Sequence, residues 1–358
     1  MLKARVVIQS LREYHPPLGE RAGLRLDFNE NTVGASPRVL RRLQLLTLED
    51  LARYPVREPV EAQVAAFFQL RPEEVLLTNG VDEAIHLLCE TFLEPGDECV
   101  IVVPTFAMYE ISAAATGAQV VRVPAAEDFS FPLEAVLAAI TSRTRLVAVA
   151  NPNNPTGTLV TAEGLLRIAG AAPQAAILID EAYFEFCGQT LLASIRSYAN
   201  VFVARTFSKA YGLAGLRAGA LAGPAEQIRM VRRVCSPYNV NAAALIALPE
   251  ALQDGEYVCK YVGMVQRGRA LLQEEFGARG IAFCPSQANF VLARIGAAHG
   301  AFVAAMKARG ILVRDRSTDP GCDGWVRITL GSEAHTEILL AALREVLAEL
   351  KISPEVVS

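Results

Sequence analysis

The sequence predicts an α/β fold: a large domain on a mostly parallel sheet, followed by a smaller α/β domain. Three observations carry this. From about residue 75, short apolar runs alternate with helix-patterned stretches, as in a parallel sheet covered by helices. Beyond about residue 225 the alternation gives way to a helical stretch and then a shorter mixed region. The distinctive polar segments stand just after the apolar runs, where ligands of open α/β sheets bind.

The strands predicted for the first region are Val75–Thr78, Cys99–Val103, Gln119–Val123, Leu146–Ala150, Ala176–Asp180, Val201–Arg205 and Ala218–Ala222. Between them lie amphipathic or alanine-rich segments such as Asp82–Phe92, Pro132–Ile140 and Ala162–Ala171. In the first of these, Ile85, Leu88, Cys89 and Phe92 recur at helical spacing. Residues 225–275 read as mostly helical, and Asn289–Ala293, Ile311–Arg314 and Trp325–Leu330 as strands of the second domain. Residues 1–27 are too few to bury a core and read as an extended arm.

Composition narrows the function. With 34 Lys+Arg against 38 Asp+Glu, the net charge of −4 points away from nucleic acid, whose binders are usually basic. No apolar run approaches the ~18 residues of a membrane span, and no secretory leader is read at the start. Both features predict a cytoplasmic protein. Seven scattered cysteines and four histidines, without a paired spacing, predict no metal site and no disulfide framework. The cysteines read as small apolar residues.

The strand ends carry the chemistry. Asn79-Gly80-Val81-Asp82-Glu83 opens a helix, either as an anion site at its free N–H groups or as an ordinary helix capped by its own acids. Asn151-Pro152-Asn153-Asn154-Pro155-Thr156-Gly157 fixes the backbone with two prolines and a glycine, so an asparagine amide can be held rigidly. Asp180 ends an apolar strand, where a carboxylate needs a cationic or hydrogen-bonding partner; capping a helix is the plainer alternative. Lys209 lies in Thr206-Phe207-Ser208-Lys209-Ala210-Tyr211-Gly212 among small, hydroxyl and apolar residues. A lone lysine is usually solvated, but a desolvated one has a lowered pKa and forms Schiff bases. Ser208 and Arg217 add anion donors nearby.

Taken together these residues identify a resemblance. The chain resembles the fold type I pyridoxal 5'-phosphate (PLP) aminotransferases and, within them, the histidinol-phosphate aminotransferase family. Further segments carrying it are Asn29-Glu30-Asn31, Tyr54-Pro55, Pro104-Thr105-Phe106-Ala107-Met108-Tyr109, Asp180-Glu181-Ala182-Tyr183, Ala288-Asn289-Phe290, Gly310–Arg314 and Val326-Arg327-Ile328-Thr329. They run in the family's order along nearly the whole chain.

The resemblance implies that Lys209 binds PLP covalently and then shuttles the proton, and that Asp180 pairs with the ring nitrogen. It implies Asn154 and Tyr183 as donors to the ring hydroxylate and Tyr109 stacked on the ring face. The cofactor phosphate would be held by the backbone of Val81 and Asp82, by Thr206, Ser208 and Arg217, and by Tyr54 of a neighbouring subunit in a homodimer. Arg327 would be the main substrate-anion residue, Arg314 a second one, with Tyr14 and Asn31 closing the pocket. It also implies a PLP-binding domain over 46–264 and a discontinuous small domain from 28–45 and 265–358. The implied reaction is ping-pong transamination of histidinol phosphate with 2-oxoglutarate. Alternatives are an aromatic amino-acid aminotransferase, threonine-phosphate decarboxylase or a non-catalytic PLP-binding regulator. Two departures are Thr32, where the first motif usually continues with proline, and Gly331-Ser332 for glycine-threonine.

Overall fold

The protein is described by a computed structural model covering residues 2–11, 13 and 22–352. Its main sheet has seven strands in the order Val75–Asn79, Ala218–Ala222, Val201–Thr206, Ala176–Asp180, Thr144–Ala150, Glu98–Val103 and Gln119–Pro124. All neighbours are parallel except at Ala218–Ala222, which is antiparallel to both of its partners. The exception has a local cause. Parallel pairing needs a crossover of a dozen or more residues, usually helical. The connection 207–217 holds only the single turn Ala214–Leu216, so the chain folds straight back.

The apolar runs become strands because helices cover both faces of the sheet. Strands buried in this way carry continuous Val, Ile, Leu and Ala, and Ala176–Asp180 and Val201–Thr206 are buried at every position. The helices Gly80–Phe92 and Ala162–Ala171 each lay one apolar stripe on the sheet. Thr161 caps the second of them by accepting a hydrogen bond from the Gly164 N–H.

The stretch 225–275 is helical as expected, with helices Ala225–Val231, Ala242–Leu252 and Gly255–Ala278. The C-terminal region forms a three-stranded antiparallel sheet of Arg314–Asp315, Trp325–Thr329 and Phe290–Arg294, followed by the helix Glu333–Glu349. Among the described residues no helix is long and apolar enough to cross a membrane.

Several segments meet partners that the sequence did not predict. The expected strand Ile311–Arg314 is broken at Val313: Ile311–Leu312 pairs with Leu24–Arg25, and Arg314–Asp315 with the strand bearing Arg327. Each half finds its partner in a different segment, so the run cannot continue as one ladder. The same pairing takes Leu24 and Arg25 out of the expected arm and into the C-terminal region. The helix Gly255–Ala278 runs straight through the expected domain boundary at 264/265. Meanwhile Arg38, in the segment expected to join the small domain, pairs with Glu250 at 3.0 Å.

Candidate active site

The carboxyl ends of the central strands open into a cavity of about 610 Å³. Asp180, at the end of its strand, lines it while only 5% exposed. Its Oδ1 accepts from the Ala182 N–H at 3.0 Å and its Oδ2 from the Tyr109 hydroxyl at 2.5 Å. Burial pushes the carboxyl up to about 6 against the opposing pull of these two bonds. A carboxylate so placed gains most from a cationic hydrogen-bond donor in the cavity.

Lys209 faces the same cavity from the loop after Val201–Thr206, its Nζ donating to the Phe28 carbonyl at 3.1 Å. Burial, aided by the positive charge of Arg327, lowers its ammonium to about 8. The loop is held from behind. Gly212 has φ +70°, and a Cβ there would lie 2.6 Å from the Gly34 backbone, so glycine lets the N-terminal segment approach. Asn31 ties that segment down by donating to the Ala210 carbonyl at 3.0 Å.

A cradle for an anion lies at the start of the helix Gly80–Phe92. Val81 and Asp82 occupy its first turn, where N–H groups have no partner within the helix. Gly80 has φ +74°, and a Cβ on it would sit 2.4 Å from Arg217 Nη2. A side chain here would strain the left-handed backbone and push the guanidinium aside. Arg217 also pairs with Asp82 at 2.9 Å. Ser208 is buried, and its Oγ has no hydrogen-bond partner among the described residues. Thr206 Oγ1 accepts from the Ser208 N–H at 3.1 Å.

The other asparagines of the Asn151–Gly157 loop are spent on holding its backbone. Asn151 bonds both backbone groups of Val160, and Asn153 bonds the Pro104 carbonyl and Thr156. Asn154 is thereby presented to the cavity, its Oδ1 accepting from Arg327. Arg327 is buried, donates also to the Asp27 carbonyl at 2.6 Å, and lies over the Phe290 ring at 5.3 Å. Arg314 stands directly across from it in the antiparallel pair and packs on Phe28 at 5.5 Å. Both arginines, with Arg316, line the cavity.

Residues 21–343 match the aminotransferase class I and II family. The histidinol-phosphate aminotransferase of Moorella thermoacetica is 36% identical, covering 97% of this chain and 93% of its own. That of Paracoccus denitrificans is 37% identical, covering 91% and 90%. The chain belongs to the histidinol-phosphate aminotransferase family. A solved structure of such an aminotransferase from Sinorhizobium meliloti, in complex with PLP, superposes with a TM-score of 0.88 at 27% identity, covering 98% and 99% of the two chains. Aspartate aminotransferase from Thermus thermophilus shares the fold, at 23% identity and a TM-score of 0.81.

As a class I and II aminotransferase the protein depends on PLP. The residues present fit that group: a desolvated lysine, a buried carboxylate, a serine hydroxyl lacking a partner among the described residues, and a glycine-shaped cradle beside Arg217. Eleven expected residues, Val81, Asp82, Tyr109, Asn154, Asp180, Tyr183, Thr206, Ser208, Lys209, Arg217 and Arg314, line the cavity together with Arg327.

Two expected positions, Tyr109 and Asn31, do not sit as the sequence suggested. Tyr109 touches the cavity, but the helix Met108–Thr116 turns its ring into the core. It is only 1% exposed, with its hydroxyl spent on Asp180, so it is not placed as the stacking ring. Phe106, edge-on to Tyr109 at 5.9 Å and partly exposed on the cavity, is the aromatic face available. Asn31 borders a second cavity of about 570 Å³ instead. Its Oδ1 accepts from the N–H groups of Val33 and Gly34, making it a turn residue of the aminotransferase rather than a pocket wall. Tyr54 is 76% exposed, stacked on Tyr238, and lines neither cavity of its own subunit. Tyr14 lies outside the described residues.

Residues that sequence reasoning passed over are Phe106, Asn29 and Arg316 at the cavity, and the buried Glu181–Arg205 pair behind it. Phe106 and Asn29 stood inside recognised motifs. Nothing local distinguished them from Tyr109 and Asn31.

Proposed function

We propose that the protein transfers the amino group of L-histidinol phosphate to 2-oxoglutarate, releasing imidazole-acetol phosphate and glutamate. The observation that carries the substrate is the Arg314–Arg327 cross-strand pair on the cavity that also holds Lys209 and Asp180. Two guanidinium groups on adjacent strands offer paired forked donors, which suits a phosphate dianion and also accepts a carboxylate.

Bound in the cavity, PLP supplies an electron sink for the charge left when the substrate α-proton departs. Asp180, ionised, would pair with the ring nitrogen. Val81, Asp82, Thr206, Ser208 and Arg217 would hold the cofactor phosphate. Asn154 and Tyr183 would donate to the ring hydroxyl oxygen, with Phe106 as the aromatic side chain for a ring face. Lys209 would be the attachment residue and, as a neutral amine, the group that holds the substrate proton. With its ammonium lowered to about 8 by burial, far more of the amine is free near neutral pH than at the ordinary lysine value.

The active unit is a cytoplasmic homodimer in which Tyr54 reaches the phosphate cradle of the neighbouring subunit. Supporting this, Tyr54 sits in a segment that exposes Leu45, Leu48, Leu51 and Val56, and exposed apolar patches of this kind mark interaction surfaces.

Arg327→Ala tests the shared anion site. Both half-reactions should weaken, each by about 2–5 kcal/mol of transition-state binding, on the order of a buried charge-assisted contact. An effect confined to one substrate would contradict the reading.

A further inference from the structure

We infer that Asn29 is a positioning residue that forces the Tyr183 hydroxyl proton into the active-site cavity and sharpens it as a donor. The inference rests on the PLP reading above and concerns a residue given no role there.

Asn29 is 1% exposed and stands at φ +56°, a left-handed conformation in which asparagine is at ease among residues other than glycine. Its surroundings fix which end of its amide faces which neighbour. The Thr329 hydroxyl oxygen accepts from the Asn29 backbone N–H at 3.1 Å, so its proton is available for Asn29 Oδ1 at 3.0 Å. The amide oxygen is thus the acceptor, and Nδ2 donates to the Tyr183 hydroxyl oxygen at 2.9 Å. Asn289 locks the backbone by donating to the Asn29 carbonyl at 3.1 Å. Asn29, Asn289 and Thr329 are all buried.

The polarity therefore runs one way, from Thr329 through Asn29 to Tyr183. A phenol oxygen that accepts from Nδ2 directs its own proton elsewhere, and Tyr183 lines the cavity. Accepting a hydrogen bond also polarises the phenol, making its O–H the stronger donor to an oxyanion there. Thr329 is two residues from Arg327 on the same strand. The strand that carries the substrate-anion residue thereby also sets the donor that faces the cofactor.

Asn29→Asp tests this, because it keeps the size and tolerates the same φ while replacing a donor by an acceptor. In the holoenzyme the pH midpoint of the visible cofactor absorbance should rise by at least half a unit, since Tyr183 would turn its proton toward the introduced carboxylate. Asn29→Gly, which also accepts the left-handed backbone, should shift it in the same direction by less, and decides the matter if Asn29→Asp does not load cofactor. In a Tyr183→Phe background the Asn29 changes should move the midpoint no further. An unshifted midpoint in loaded variants, or an equal shift with and without the Tyr183 hydroxyl, would overturn the inference. A wild-type protein with no such absorbance would overturn the PLP reading instead.

Discussion

At the scale of single residues, the site works by withholding water from charges that will later be paired. Lys209 and Asp180 are both pushed toward their neutral forms, the lysine down to about 8 and the carboxyl up to about 6, and burial is the leading cause for each. For a base with a lowered pKa, the reactive form accumulates as pH rises and is complete above that value. The apoenzyme should therefore capture PLP about tenfold faster per pH unit up to about pH 8 and level off above it. Stopped-flow absorbance checks this, and a rate still climbing at constant slope to pH 10 would show an unperturbed lysine. Lys209→Ala should hold no borohydride-reducible chromophore; retention of one would place the attachment elsewhere.

The residue scale is also where the sequence was least legible. It presented Asn29 and Asn31 two positions apart, and Phe106 and Tyr109 three apart, with no local difference in chemistry. Tertiary context separated them. Asn31 is taken up by a turn and the Ala210 carbonyl, and Tyr109 by the core and Asp180, leaving Asn29 and Phe106 on the cavity.

At the scale of elements, strands buried on both faces write themselves as apolar runs, so the sheet was readable with ends shifted by a residue or two. What could not be read was partnership. The break at Val313 depends on Leu24–Arg25, distant in sequence, taking one half of the run. Two neighbouring strand ends show the same dependence. Glu181 and Arg205 follow the Asp180–Ala204 pair and meet at 2.7 Å, each at most 4% exposed. Glu181 also accepts from the Leu191 N–H at 2.7 Å. Breaking a buried pair leaves a charge without compensation. Glu181→Ala should cost about 3–5 kcal/mol by denaturant unfolding, and a change below about 1 kcal/mol would show that the strand ends do not depend on it. The glycine at the helix start makes a second element-level demand. Gly80→Ala combines a left-handed backbone, worth about 1–2 kcal/mol, with displacement of Arg217. Cofactor affinity should fall more than tenfold, as read by equilibrium titration, and unchanged affinity would remove the cradle from the account.

At the scale of the whole molecule, the mild net charge of −4 separated this chain from nucleic-acid binders yet said nothing of its pocket. The ligands proposed are anions, met by Arg217, Arg314 and Arg327 and by one helix start rather than by any overall excess of positive charge. A site closed by Tyr54 from a second subunit also predicts a dimer mass in solution. Tyr54→Phe should weaken cofactor retention by about tenfold while leaving the dimer intact, consistent with loss of one charge-assisted hydrogen bond.

The central claim is that this cavity acts on an amino phosphate bearing an imidazole. It is tested most directly by comparing kcat/KM of the purified holoenzyme for L-histidinol phosphate, phenylalanine and threonine phosphate, with 2-oxoglutarate as acceptor. Histidinol phosphate should lead both by at least a hundredfold, about 2.7 kcal/mol of transition-state discrimination. Equal or greater efficiency with phenylalanine, or carbon dioxide release from threonine phosphate, would contradict it.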